Sequence, residues 1–385
     1  MTDKKKGPLS GFRVLELAGI GPGPFCGMVL ADLGAEVVRV DRLKASGLGV
    51  AVPPAYDVMG RSRRSVAVDM KKDGGRDLVL DLVASADALI EGFRPGVAER
   101  LGVGPEPCME RNPALVYGRV TGWGQEGPLA PAAGHDLNYI ALTGALHAIG
   151  SAGGPPVPPL SLVGDFGGGG MLLAVGVLSA LLEASRTGKG QVVDAAMVDG
   201  AALLMSAFYG VAAMGMWPGG RGENLLDGGA PFYGVYETAD EKYVAIGAIE
   251  PKFWAELMQR LGLADEGLPA PMNPRSWPVL RERLAQVFAE RTRDEWVELL
   301  EGTDTCFAPV LTMAEAPDHP HLSARGSFVQ VGPMAQPAPA PRFSRTPLES
   351  PRPAPKPGQD TEEALQDWGI SQERIAALRE AGLIP

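Results

Sequence analysis

The sequence predicts an α/β fold, with a Rossmann-like parallel sheet in a large domain and a smaller α+β domain. Short apolar strands alternate with helical segments over residues 1–200, a pattern typical of a parallel sheet covered by helices. Two later strands, at 232–237 and 243–248, are separated by a few polar residues, as in a β-hairpin. At 385 residues the chain also exceeds what one ordinary core requires.

The individual elements are predicted from hydrophobic periodicity and from start and stop residues. Strands of the parallel sheet are expected at 12–17, 36–41, 65–69, 88–91, 115–120 and 191–194. Helices are expected at 25–33, 74–85, 168–184, 197–213, 251–262, 276–290 and 293–301. Asp360 and Ser371 are expected to cap two short helices at the end of the chain.

These elements divide the chain into predicted domains. Residues 1–200 form the large Rossmann-like domain, which 325–385 complete. Residues 201–224 form a linker of helix and loop, and 225–324 form the small α+β domain. Proline is frequent between 331 and 357, which predicts an extended, polyproline-like strap across the folded surface.

Composition excludes several classes of function. A net charge of -11 argues against a general nucleic-acid binder, whose affinity would depend on phosphate neutralisation. The three cysteines fit no metal or disulfide pattern, which indicates a reducing compartment. The first residues contain no apolar signal segment, and the apolar run at 171–182 is too short for a bilayer. We therefore expect a cytoplasmic protein with no membrane and no nucleic-acid partner.

The turn after the first strand, at 21–24, resembles a dinucleotide-binding fingerprint but lacks its spacing. Cys26 stands where the third glycine of the fingerprint should be. Two prolines in the turn also remove N–H donors from the loop that would hold a pyrophosphate. The sequence therefore predicts Rossmann-like topology without NAD or FAD.

Arg42 follows the second strand at the edge of the sheet where such folds bind ligands. Its guanidinium suits a phosphate better than a ribose. The alternative is a solvated charge pair between Asp41 and Arg42.

His135 and Asp165 are the main candidates for proton transfer. Only four histidines occur in the chain, and His135 follows a glycine-rich segment that would let a ligand approach the backbone. His135 would equally serve as the cap of a helix that starts near Leu137. His147, within an apolar helical pattern, is expected to be a core residue.

Asp165 is followed by Phe166 and then by four glycines at 167–170. A plain helix cap is one interpretation, because aspartate favours that position. Four glycines are nevertheless costly in a first helical turn, at up to about 1 kcal/mol each against alanine. We therefore expect a bare backbone at a helix N-terminus, where free N–H groups would hold an enolate oxygen or a carboxylate.

Glu250 ends a predicted strand and precedes Pro251, the first residue of a predicted helix. It would act either as a helix cap or as a carboxylate that orients the histidine.

Together these motifs resemble the α-methylacyl-CoA racemase group of the family III CoA-transferase superfamily. Each motif is modest, but their order and spacing are specific. They lie at 11–19, 38–42, 133–139, 164–169, 187–194, 224–233, 248–251 and 303–306.

The resemblance implies 1,1-proton transfer at C2 of a 2-methylacyl-CoA thioester, which interconverts the (2R) and (2S) forms. His135 and Asp165 would act as acid and base on opposite faces of the carbon. Glu250 matches a third acidic residue, thought to hydrogen-bond the histidine, either within the chain or from the partner subunit. Members of the family form interlocked homodimers.

The resemblance also implies a set of CoA contacts. Arg42 matches the residue that meets the adenosine phosphates. The other matching contacts are Ala67, Val68, Asp69, Met70, Gly134, Asp136, Leu137, Asn138 and Tyr139. No metal and no separate cofactor are expected, because CoA is part of the substrate.

Two other functions remain possible at this stage. In a CoA-transferase of the same superfamily, Asp165 would form an acyl anhydride, and His135 argues against it because transferases usually carry another residue there. A nucleotide-binding regulatory or scaffolding protein without catalysis would leave the segment around His135 and the glycine run unexplained.

Overall fold

The computed structural model describes residues 7–44, 47, 49–50, 52–217 and 219–385. Its strands are β1 (Arg13–Leu17), β2 (Glu36–Asp41), β3 (Arg64–Ala67), β4 (Ala88–Glu91), β5 (Val116–Thr121), β6 (Val192–Ala196), β7 (Tyr233–Glu237), β8 (Tyr243–Gly247), β9 (Phe307–Pro309), β10 (Phe328–Val331) and β11 (Met334–Pro337).

Its helices are α1 (Pro22–Asp32), α2 (Asp73–Val83), α3 (Val97–Arg100), α4 (Pro105–Arg111), α5 (Asp136–Leu142), α6 (Ala145–Ala148), α7 (Leu172–Thr187), α8 (Met197–Leu204), α9 (Ser206–Ala213), α10 (Pro251–Arg260), α11 (Trp277–Phe288), α12 (Arg293–Leu300), α13 (Pro320–Ala324), α14 (Thr361–Asp367) and α15 (Gln372–Glu380). A π-helical segment, Leu162–Met171, runs directly into α7.

The first of two structural units contains a six-stranded parallel sheet. It comprises the described residues of Met1–Thr143, Leu160–Leu204 and Pro320–Pro385. The strand order is β3-β2-β1-β4-β5-β6, and each neighbouring pair is parallel. Because the order reverses between β1 and β4, ligands of such a sheet are expected beyond the carboxyl ends of these two strands.

Alternate strand residues bury two separate cores, as the pleat of a parallel sheet requires. Leu15 and Leu89 pack with α2, α14 and α15 on one face. Val14 and Ile90 pack with α1 and α7 on the other. The predicted parallel sheet is therefore confirmed, with all six strands within two residues of their expected positions.

The second unit comprises Gly144–Pro159 and Met205–His319 and is α+β. Strands β7, β8 and β9 form an antiparallel sheet in that order, so the predicted hairpin is present. Helices α10, α11 and α12 surround a core that includes Phe288 and Trp296. Strand β9 has three residues and includes a proline, which explains why periodicity did not predict it.

The boundaries of the two units differ from the predicted domains. Residues 144–159, expected in the large domain, belong to the second unit. The expected helix at 197–213 breaks at Met205 into α8 and α9, and each part belongs to a different unit. The predicted linker at 201–224 is therefore divided between the units, because a helical pattern does not show which core each half contacts.

The proline-rich strap is partly regular. Strands β10 and β11 form a hairpin at its start, and the following residues lack regular structure. The backbone of Arg352 pairs with Ser62, and Ala354 is buried. The strap therefore packs on the first unit.

One helix is longer than its sequence pattern predicted. Leu162–Thr187 spans 26 residues and, by length and composition alone, is able to cross a membrane. The apolar run at 171–182 was expected to be too short for a bilayer, because it covers only part of this helix. Its contacts with α1, β5 and β6 make it a covering helix of the parallel sheet.

Candidate active site

His135 lies directly before α5, at the end of the glycine-rich segment. Its backbone N–H donates to Asn138 Oδ1 at 3.0 Å, and its carbonyl accepts from the Asn138 N–H at 2.8 Å. These reciprocal bonds fix the start of α5, and the histidine side chain is exposed. His135 therefore occupies the cap position of α5 while its imidazole stays exposed.

Tyr139 packs against the same segment. It is buried, its hydroxyl donates to the Gly134 carbonyl, and its ring meets Trp123 edge-on with ring centroids 4.8 Å apart. A Cβ on Gly134 would lie 2.7 Å from the tyrosine ring, so this position needs glycine. Gly134 and Tyr139, expected as CoA contacts, hold the histidine loop in place.

Asp165 lies inside the π-helical segment and is half-buried. A Cβ on Gly21 would lie 3.4 Å from its Oδ2, so the carboxylate reaches the β1–α1 turn at the reversal point of the sheet. The fold thus brings this carboxylate to the edge where ligands of such sheets bind.

The surroundings of Asp165 favour its protonated form. Burial raises the pKa of the carboxyl above its ordinary value, and the negative charge of Asp136 raises it further. A hydrogen bond with the Ser161 side chain and the charge of protonated His135 lower it. His135 and Asp165 are therefore electrostatic neighbours, and the raised pKa brings Asp165 closer to the range that suits an acid–base group at neutral pH.

The prediction that open N–H groups at a helix N-terminus near Asp165 form an anion site is wrong. The helix begins at Leu162 rather than after Asp165, and Asp136 Oδ1 accepts the N–H groups of Gly164 and Asp165 at 2.7 and 2.8 Å. The N–H of Phe166 donates to the Ser161 carbonyl at 3.1 Å. These donors are occupied and do not form an open site.

Close helix packing explains the glycine run instead. A Cβ on Gly200 would lie 1.9 Å from the Gly168 carbonyl oxygen, so α8 contacts the π-helical segment backbone to backbone. A Cβ on Gly170 would lie 2.7 Å from the Pro22 carbonyl oxygen of α1. The sequence correctly indicated a backbone without side chains at these positions. It did not indicate that the backbone of α1 and α8, rather than a ligand, lies against it.

Arg42 is exposed beyond the carboxyl end of β2. The suggested pair between Asp41 and Arg42 is wrong, because Asp41 is buried and accepts from Arg39 Nε at 2.8 Å and from the Ser65 hydroxyl at 2.6 Å. Arg42 is thereby left for another partner.

The stretch at 67–70 ends at a cavity that the sequence did not predict. Ala67, Val68 and Met70 are buried, whereas Asp69 is partly exposed and pairs weakly with Lys72 at 3.8 Å. A cavity of about 320 Å³ begins at Met70. Its charged lining residues are Lys71, Lys72, Asp73, Arg76, Glu99 and Arg100. The lysines directly follow the matching stretch, but nothing in the sequence indicated that Arg76 and Arg100 join them.

Leu137 and Asn138 are exposed on α5, whereas Asp136, predicted with them as a CoA contact, is buried. Its carboxylate accepts two backbone N–H groups within the protein.

Glu250 lies in the second unit, at the cap position of α10, and its side chain is exposed. Its carbonyl accepts from the N–H groups of Phe253 and Trp254 at 3.0 Å each. Burial raises the pKa of the Cys306 thiol, and the negative charge of Glu250 raises it further. Glu250 therefore lies near Cys306. Glu250 thus occupies the N-cap position of α10, and its carboxylate is exposed and forms no capping hydrogen bond.

His147, expected in the core, is exposed on the short helix α6. The helix has only four residues, so the apolar residues around His147 do not form the longer buried helix that their pattern predicted. Among the residues that the structure describes, no group of three or more His, Cys, Asp or Glu side chains is arranged to hold a metal ion.

The fold and the site define a doubly wound α/β protein in which Asp136 links the element that carries an exposed imidazole to the element that carries a half-buried carboxylate. The chain belongs to CoA-transferase family III, whose family model matches residues 9–361. It is 48% identical to the alpha-methylacyl-CoA racemase of Mus musculus over 96% of both chains. It is 45% identical to the alpha-methylacyl-CoA racemase of Homo sapiens, over 98% of this chain and 97% of the human protein.

A solved structure supports the fold independently. A CAIB/BAIF family protein from Brucella suis superposes with a TM-score of 0.81 at 26% identity, covering 94% of this chain and all of that one.

Proposed function

We propose that this protein is an α-methylacyl-CoA racemase, which interconverts (2R)- and (2S)-2-methylacyl-CoA thioesters. The observation that carries the proposal is that Asp136, the residue after His135, accepts the backbone N–H of Asp165 at 2.8 Å, which links the elements of the two candidate bases. The 48% identity to a curated racemase over nearly the whole chain supports the same reaction.

In the proposed reaction each base serves one enantiomer. One group removes the proton from C2, the bonding electrons move into the thioester as an enolate, and the other group returns a proton to the opposite face. After each turnover one group has gained a proton and the other has lost one, so the pair exchanges roles. Such groups typically contribute about 10²–10⁴-fold to the rate. Proton transfer by two side chains involves no redox step, so the proposal includes no cofactor beyond the CoA of the substrate.

CoA is proposed to bind along the carboxyl edge of the sheet. Arg42 is exposed there, and the cavity beside Met70 presents lysine and arginine side chains. Such cations suit the phosphates of CoA, because charge-assisted bonds to phosphate are strong. Arg76 is already paired with Asp77 at 2.9 Å, so Lys71 and Arg100 are the stronger candidates.

We further propose that the protein is a homodimer. Leu162, Met171, Val175 and Leu182 are exposed on the helix Leu162–Thr187, and each retains 45–59% of its accessible surface. An exposed apolar face of this kind marks an interface. A second copy of the chain explains it better than a lipid surface, because a net charge of -11 disfavours anionic lipids. A cytoplasmic location, without membrane or nucleic-acid partners, belongs to the same proposal.

One incubation tests the reaction. The purified protein is mixed with a single enantiomer of a 2-methylacyl-CoA in D2O, without an acyl acceptor. Deuterium at C2 together with loss of optical purity is the expected result. No exchange, combined with CoA transfer to an added carboxylic acid, would instead support the transferase in which Asp165 forms an acyl anhydride.

The role of Glu250 is tested by co-expressing the inactive variants His135→Ala and Glu250→Ala. If Glu250 acts on the histidine of the partner subunit, each mixed dimer retains one intact site, and random pairing restores about a quarter of the wild-type activity. If Glu250 acts within its own chain, both sites of the mixed dimer carry one lesion and activity stays at the level of the separate variants.

A further inference from the structure

Asp136 connects the two elements that carry His135 and Asp165. Its side chain is 6% exposed. Its Oδ1 accepts the backbone N–H of Gly164 at 2.7 Å and that of Asp165 at 2.8 Å. Asp136 is also the first residue of α5, directly after His135. One side chain therefore joins the start of one helix to the early turns of another.

The path between the two bases through Asp136 is short. It consists of one peptide bond from His135 and one hydrogen bond to the backbone of Asp165. The approach depends on glycine, because a Cβ on Gly164 would lie 2.4 Å from Asp136 Oδ1. In addition, Asp136 satisfies two N–H groups that the first helical turn leaves without partners in its own helix.

We propose that Asp136 is a positioning residue that sets the distance and orientation between His135 and Asp165. The inference rests on the proposed racemase function, because two-base transfer requires both groups to lie within reach of one carbon. Displacement of one base by about 1 Å is sufficient to lower a rate by roughly 10²-fold. A single buried carboxylate that fixes both elements limits such displacement.

The charge of Asp136 has a second consequence. Three titratable groups act on Asp165 or are influenced by it: Asp136, His135 and Tyr139. After burial, Asp136 is the largest contributor to the raised pKa of Asp165, and it acts against the charge of His135. The same residue therefore holds Asp165 in place and raises its proton affinity.

Two substitutions separate these effects. Asp136→Asn keeps an acceptor oxygen of the same shape and removes the charge, whereas Asp136→Ala removes both hydrogen bonds. Racemisation is measured against pH, with circular dichroism to verify folding and Asp265→Asn, at an exposed position in the second unit, as the matched control.

We expect Asp136→Ala to lower kcat by about 10²-fold with little change in KM, as misplacement of a base predicts. We expect Asp136→Asn to retain most of kcat and, for the enantiomer whose C2 proton Asp165 removes, to move the acidic limb of the pH profile to lower pH. A raised KM with unchanged kcat in Asp136→Ala would show a CoA contact instead and overturn the proposal. An acidic limb that stays unchanged for both enantiomers in Asp136→Asn would overturn it equally, even if the alanine variant failed to fold.

Failure of the proposed function is distinguishable from failure of this inference. If the wild type shows no exchange at C2, the racemase proposal fails. The link is then measured without catalysis, from the carboxyl ¹³C titration of Asp165, assigned with Asp165→Asn. A lower pKa in Asp136→Asn than in the wild type supports the link, and an identical pKa contradicts it.

Discussion

His135 and Asp165 act in the same proposed reaction but lie in contrasting environments. His135 is exposed at the end of a glycine-rich segment, and its position depends on local bonds within α5. Asp165 is half-buried in a π-helical segment that packs on α1 and α8 through bare backbone. Burial and Asp136 perturb the carboxyl, whereas the imidazole faces solvent.

The comparison shows two ways of providing a base near neutral pH. Histidine has a suitable pKa in water, so it needs orientation more than a special environment. An aspartate in water is far too weak a base, and it needs burial and a like charge to hold a proton more tightly. The structure supplies these conditions to Asp165, which predicts that the two positions respond differently to substitution.

The largest effect is expected for Asp165→Ala. The alanine side chain can neither accept nor return a proton, so racemisation and C2 exchange should fall by about 10⁴-fold, the upper end for a general acid or base. Chiral analysis of the product and deuterium incorporation measure it. Near-normal turnover with a folded protein would contradict the role of Asp165.

A smaller loss is expected for His135→Ala. Because the side chain is exposed, water or an added base can partly replace it, so the rate should fall by about 10²–10³-fold and recover in part with added imidazole. His147→Ala removes another exposed histidine and should leave the rate unchanged. An equal loss of activity in His135→Ala and His147→Ala would contradict a specific role of His135 in proton transfer.

A moderate loss of stability is expected for Gly200→Ala. The new Cβ would overlap the Gly168 carbonyl, and overpacking typically costs about 1–3 kcal/mol, more where backbone must move. Gly210→Ala on α9, where a Cβ meets no atom within 4 Å, should instead be neutral or stabilise the protein by about 0.4–1 kcal/mol. Denaturant unfolding compares the two, and equal effects would refute close packing as the reason for the glycines.

The smallest effect is a gain in stability for Asp165→Asn. The folded-state pKa of Asp165 is raised, so its contribution to stability is complete at low pH and is lost as pH rises through that pKa. The neutral amide avoids this loss. The Tm difference between the variant and the wild type should therefore be larger at pH 7 than at pH 4, and a difference that shrinks as pH rises would contradict the raised pKa.

The sequence alone determined the parallel sheet, the hairpin and the longer helices of both units, whereas the short helices α3, α4 and α13 were not predicted. Alternation of apolar strands with helices is a local signal, and burial on both faces of the sheet makes it strong. Local signals also identified His135 and Asp165, because a scarce histidine after glycines and an aspartate before four glycines are unusual in any helix start.

Only the tertiary structure decided what surrounds these residues. The glycines at 167–170 meet the backbone of α1 and α8, and Asp136 joins two helices that are distant in sequence. Neither contact can be predicted from local sequence, because each joins residues that are 28 or more positions apart and that packing brings together. The sequence thus indicated candidate groups for the proposed chemistry, and the packing of the chain raised the pKa of Asp165.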